Sequence, residues 1–172
     1  MLKKTGKKLL AVLAMAVVVL GAGLVRAQAA GDTVLKNEDL HKLLPAQVYY
    51  KGQSAPTQLR NAGGIRFADG YYVLAALVDT SGYSTAAASR YQAYFVVETP
   101  ILIGGEKLLA GVYGAGFVDD KFVITDVGGH DVLTVATGND EGIKRPMPLQ
   151  VQADPGGGYR LYAGRHYVQF SR

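Results

Sequence analysis

KFVITDVGGHDVLTV, residues 121–135, is the stretch that decides the fold. Two runs of alternating character, KFVITDV (121–127) and HDVLTVA (130–136), flank Gly128-Gly129. Gly-Gly is a strong two-residue hairpin signal, because both loop positions of such a turn accept positive φ. With that loop, Val127 pairs His130, Asp126 pairs Asp131, Ile124 pairs Leu133 and Phe122 pairs Val135. Side chains alternate faces along a strand, so Phe122, Ile124, Leu133 and Val135 form the buried face. Asp126 and Asp131 lie on that face at the tip. His130 points to the other side, with Thr125, Val127 and Val132. In this register His130 meets neither aspartate, which weighs against an acid/base dyad, since such a pair needs hydrogen-bond reach. A bulge would break the parity.

Directly opposed carboxylates destabilise a strand pair. Exposure at the tip, a neighbouring Arg or Lys, or a bound cation would relieve Asp126 and Asp131. Hard cations want six or more oxygens, and Asp119-Asp120 stands too far away along the strand to supply them. The reading is therefore a polar tip without a metal or a cofactor, with Asp126, Asp131 and His130 kept as candidate ligand contacts.

The same period of two continues through most of the chain. Candidate strands cover residues 47–51, 64–68, 71–79, 90–99, 108–118, 121–127, 130–136, 148–153, 158–163 and 165–170, with turn signals about every eight to twelve residues. Ala68-Asp69-Gly70, Thr80-Ser81-Gly82 and Asp154-Pro155-Gly156-Gly157-Gly158 are turns by composition. Short connections make neighbouring strands antiparallel. The expected fold is all-β: an antiparallel sandwich or barrel of about eight to ten strands over residues 47–172. YYVLAALVD (71–79) and RYQAYFVVET (90–99) are apolar on both faces, as central or helix-covered strands would be.

One helix is expected ahead of the strands, in a segment spanning residues 30–46. In NEDLHKLLP (37–45), Asn37 is suited to cap, Glu38 and Asp39 favour the positive end of the dipole, and Pro45 ends the helix. Leu40, Leu43 and Leu44 make one apolar face. His41 falls beside it, as a solvated helix residue.

The chain opens MLKKTGKKLLAVLAMAVVVLGAGLVRAQAA. Four lysines precede an apolar run of 17 residues (9–25), and Ala27-Gln28-Ala29 supplies a small-x-small cleavage pattern. This reads as a secretory signal peptide over residues 1–29, and directs the protein to the periplasm or the extracellular space. Its apolar run is at the short edge for an anchor helix. With no cysteine in the chain, neither disulfides nor a cysteine-linked lipid anchor can form.

Removing the signal changes the electrostatics. Five of the 18 basic residues lie in residues 1–29 and none of the 14 acidic ones, so the remainder is close to neutral. Nucleic-acid binding needs a clustered basic face, which this chain lacks once the leader is gone. Other chemical motifs are absent as well. GVYGAGF (111–117) has the wrong order for a phosphate-binding G-x-G-x-x-G and reads as a strand where glycine allows close approach. Ser81 and Ser84 in DTSGYS lack G-x-S-x-G and an expected following helix, so a turn accounts for them. His166 falls on a terminal strand. Three scattered histidines without cysteine disfavour zinc. The 11 tyrosines suit half-wet sheet surfaces, and Tyr72 and Tyr94 are the candidates for a ligand pocket mouth.

The runs GGIRFADGYYVLAALVDTSGYS, RYQAYFVVETPILIGGEKLLAGVYGAGF, DVGGHDVL, RPMPLQV and YRLYAGRHYVQF resemble an uncharacterised family of exported bacterial β-domain proteins, over about residues 47–170. The LLAGVYGAGF segment is also similar to a strand-entry pattern of other exported β-domains. Neither resemblance implies an activity, a ligand or a catalytic residue. The functional expectation is an exported, non-enzymatic β-domain that binds a small apolar ligand. The alternative is an interaction or structural module that joins an envelope protein. A small outer-membrane barrel, which needs about eight strands of roughly ten residues, and a hydrolase stand behind these.

Overall fold

The computed structural model describes residues 31–172, which form one compact unit. The signal-peptide reading lies outside the described residues. The first part of the chain gives β1 (Thr33–Val34), α1 (Asn37–Leu43), β2 (Gln47–Tyr50), β3 (Gln53–Arg66) and β4 (Tyr72–Val78). A second helix, α2 (Thr85–Arg90), leads into β5 (Ala93–Val97), β6 (Ile101–Ile103), β7 (Glu106–Leu108), β8 (Gly111–Val118), β9 (Lys121–Thr125) and β10 (Asp131–Ala136). The chain ends with β11 (Gly138–Asn139), β12 (Gln150–Ala153), β13 (Tyr159–Ala163) and β14 (His166–Ser171).

These strands build two antiparallel sheets, and neither closes into a barrel. The larger runs β1-β3-β4-β5-β8-β9-β10, with β2 paired to the first half of β3. The smaller runs β12-β13-β14-β6-β7, with β11 on β14. The sandwich branch of the expectation is the observed fold. Alternation on every long strand sends one set of side chains into the space between the sheets. Val73 and Ala75 of β4, Phe95 and Val97 of β5, and Phe122 and Ile124 of β9 meet Leu161, Val168 and Phe170 of the smaller sheet there. Burying aliphatic and aromatic side chains of this size contributes about 1.5–3 kcal/mol each.

The other face of the larger sheet is covered too, which explains strands apolar on both sides. Leu40 and Leu44 of α1 pack on Ala62, Leu74 and Ala76. Further along, Tyr50, Tyr91 and Val78 form a second outer cluster with Val48 and Ala55, against which Tyr83 and Tyr94 pack. The Tyr50 and Tyr91 rings stack at 3.8 Å between centroids, only 9° from parallel.

α2 corrects two readings. Arg90 was expected to open a strand, and no helix was expected after DTSGYS. Instead Ser84 caps α2, its hydroxyl accepting from the Ala87 backbone N–H at 3.4 Å, and Arg90 ends it. A serine followed by Thr-Ala-Ala-Ala is an N-cap ahead of strong helix formers, and that signal was present in the sequence.

The glycines of GVYGAGF seat this helix. A Cβ on Gly114 would enter the Tyr91 ring, and one on Gly116 would stand 2.5 Å from the Ser89 carbonyl oxygen. The expected close backbone approach is thus made by the end of α2. α1 also departs from expectation in detail. Its N-cap is Lys36, without a side-chain bond, and Leu43 is 42% exposed while Leu40 and Leu44 are buried.

The smaller sheet carries one dense polar cluster on its outer face. Asp154 accepts from Arg160 Nε at 2.9 Å and from the Gly156 backbone N–H at 2.9 Å, and Gln169 also donates to it. Arg160 lies 4.3 Å over the Tyr167 ring, and Tyr162 donates to Asp140 at 2.9 Å. The Gly156 N–H, followed by Gln169 and Arg160, holds the Asp154 carboxyl below its ordinary range.

Candidate functional site

The predicted tip residues come together differently from the two-residue hairpin. The Phe122–Val135 and Ile124–Leu133 pairs form as expected, but a bulge between Asp131 and Leu133 places Asp131 opposite Thr125. The loop has three residues. It closes through Asp126 N–H donating to the His130 carbonyl at 3.0 Å and Gly129 N–H donating to the Asp126 carbonyl at 3.0 Å. Gly129 takes the positive φ of 83° that this turn requires.

Parity breaks at that bulge, so the expected separation of His130 from the aspartates is wrong for Asp126. The Asp126 carboxylate accepts from the His130 backbone N–H at 2.9 Å and faces His130 Nδ1 at 3.0 Å. These bonds, the backbone one first, lower the Asp126 carboxyl below its usual value. The carboxylate only accepts, so Nδ1 carries the proton. Asp131 is not opposed to Asp126. It forms an ion pair with Arg90 at the end of α2, the basic neighbour that sequence analysis named as one form of relief.

The tip is built into its surroundings. Lys51 N–H donates to the Val127 carbonyl at 3.3 Å, and the Lys51 stem and the Tyr50 hydroxyl crowd Gly129. Tyr50 reaches buried Thr125 at 3.4 Å. The His130 side chain itself is 83% exposed. Among the described residues, no group of three or more His, Asp or Glu side chains is arranged to hold a metal ion. The Asp126–His130 contact is a turn-closing bond at an exposed edge.

A concave site lies elsewhere, under α1. A cleft of about 340 Å³ is lined by Thr33, Leu35, Asp39, Lys42, Leu43, Arg66 and Tyr72. Its floor is a row across three strands, because Thr33 pairs Arg66 and Arg66 pairs Tyr72. Its wall is the exposed side of α1, where Lys42 and Asp39 sit 3.8 Å apart. Leu35, Leu43 and the Tyr72 ring supply apolar surface. The volume falls at the lower end of small-molecule sites.

Of the candidate ligand residues, Tyr72 lines this cleft. Tyr94 opposes Ala76 on β4, packs into both outer clusters and has its phenol pKa raised by burial. It does not line the cleft. Arg66, Lys42 and Leu43 were missed as site residues. The sequence did hold a signal for Arg66: in GIRFADGYY it is symmetric with Tyr72 about the Ala68-Asp69-Gly70 turn, so hairpin pairing joins the two.

No family model, no curated protein and no solved structure matches the chain.

Proposed function

We propose that the chain is an exported, non-enzymatic β-sandwich domain, of the kind it resembles among bacterial exported proteins, that binds a small ligand with an apolar body. The ligand sits in the cleft between α1 and the outer face of the larger sheet. One observation carries this reading: the contact between α1 and the sheet stops short, leaving Leu43 42% exposed beside Leu35 and Tyr72 around about 340 Å³ of open space. The space between the sheets holds the main core, with side chains from both sheets buried in it. Export is supported by the charged, apolar and small-x-small succession of residues 1–29.

Protein purified from its producing cells without detergent, extracted with organic solvent and analysed by mass spectrometry tests the reading. A small molecule recovered near one equivalent, and lost in Leu43→Asp, is the expected result. An extract indistinguishable from solvent and from that variant contradicts it.

A second reading, attachment to an envelope protein, is favoured by exposed Val127 and Val132 beside the hairpin tip, at 58% and 46% exposure. Crosslinking from those two positions in cells distinguishes it from ligand binding in the cleft.

A further inference from the structure

We infer that the ligand of the α1 cleft is an amphiphile carrying a single negative charge, and that Arg66 receives that charge; this rests on the ligand-binding reading above. Arg66 lies at the centre of the cleft floor, between Thr33 on β1 and Tyr72 on β4. Its guanidinium makes no hydrogen bond or ion pair among the described residues. Arg90, Arg160, Arg172 and Arg165 are engaged, by Asp131, Asp154, Asp69 and the Glu141 and Ile143 carbonyls. Arg60 and Arg145, like Arg66, are unpaired among the described residues but do not line the cleft.

The carboxylates around Arg66 are all committed to other partners. Asp39, which shares the cleft, faces Lys42 at 3.8 Å. Glu98 accepts from the Tyr72 backbone N–H at 2.9 Å. Asp32 accepts from the Ala68 backbone N–H at 2.8 Å and from the Tyr159 hydroxyl at 2.6 Å. Asp69, in the turn that follows Arg66, is taken by Arg172. The cleft thus holds two cations and one anion, and the unmatched charge is the guanidinium, a planar donor fork suited to carboxylate or phosphate. Leu35, Leu43 and Tyr72 beside it suit a short hydrocarbon body. Arg66 is exposed, so its guanidinium is otherwise solvated by water; an anionic head exchanges that water for a charge-assisted contact, which a neutral or cationic molecule does not offer.

Octanoate, octanol and octylammonium share one chain and differ in head charge. Each is titrated into the purified protein while the NMR signals of Leu35, Leu43 and Tyr72 are followed. Octanoate should bind about five- to tenfold more tightly than octanol, the scale of one charge-assisted contact at a partly wet site. Octylammonium should bind most weakly. Arg66→Met should reduce octanoate to the octanol level and leave octanol unchanged, while Lys42→Met should keep the octanoate advantage. Equal binding of octanoate and octanol overturns the assignment of charge but leaves the ligand-binding reading standing. An octanoate advantage that survives Arg66→Met overturns the role of Arg66. Absence of saturable shifts with all three removes both.

Discussion

The Asp126 carboxylate takes two bonds from a single residue, the backbone N–H of His130 at 2.9 Å and its ring Nδ1 at 3.0 Å. That double contact closes a three-residue loop where the glycine pair suggested two. The shortened pairing is absorbed by the bulge after Asp131, which turns Asp131 to Arg90. The side-chain contacts add to the backbone bonds that close this turn, next to the bulge and the Asp131–Arg90 pair.

Asp126→Ala should lower stability at neutral pH, with a reduced denaturant midpoint as the measure. The folded carboxyl is held below its ordinary 3.8. Its contribution is then fully present above that value and is lost as pH falls through the depressed one. The gap between wild type and variant should close below pH 3.8, whereas a gap that persists there would mean the carboxylate charge is not what Asp126 contributes.

Gly114→Ala and Gly116→Ala should each destabilise by about 1–3 kcal/mol, the range for overpacking a filled interior. Neither site can give way easily, since a Cβ on Gly116 meets the Ser89 backbone carbonyl and one on Gly114 meets the Tyr91 ring, which is buried and stacked on Tyr50. Urea melts of both variants check this. Unchanged midpoints would mean that α2 does not rest on β8 as described.

Asp154→Ala should cost roughly 2–3 kcal/mol, below the usual range for breaking a buried pair because the Arg160 side chain keeps 22% exposure. The Asp154 carboxyl is also depressed in the fold, so the loss should be full at neutral pH and fade as pH falls below the carboxyl's ordinary 3.8. Chemical denaturation across that pH interval measures both. A variant as stable as wild type at pH 7 would show the cluster to be surface decoration.

Protein collected outside the cytoplasm should begin at Ala30, with residues 1–29 removed. N-terminal sequencing or intact mass reads this directly. A chain retaining Met1 would contradict cleavage, and with it the near-neutral charge of the exported form.

Strand positions were legible where turn signals bounded an alternating or a continuous apolar run, as in β4, β9, β13 and β14. The 14-residue β3 was legible only at its end, from Gly64. Its first part, with Pro56 and a polar run to Asn61, has no apolar period, because it pairs β2 on one side and is largely exposed. Ile101–Ile103 is too short for periodicity and owes its strand state to pairing with β14 and β7. The hairpin tip was misread by one residue because Gly-Gly specifies positive φ without specifying loop length. The cleft was least legible. It depends on how far α1 covers the sheet, a tertiary quantity, although the Arg66–Tyr72 pairing that floors it follows from hairpin symmetry.

The most direct test of the ligand-binding reading is a methyl and aromatic NMR titration of the protein with octanol, a probe that needs no charge. Saturable shifts confined to Leu35, Leu43 and Tyr72, with Leu161 and Val168 between the sheets unmoved, are the predicted result. Shifts centred on Leu161 and Val168, or none that saturate, would contradict a ligand site under α1.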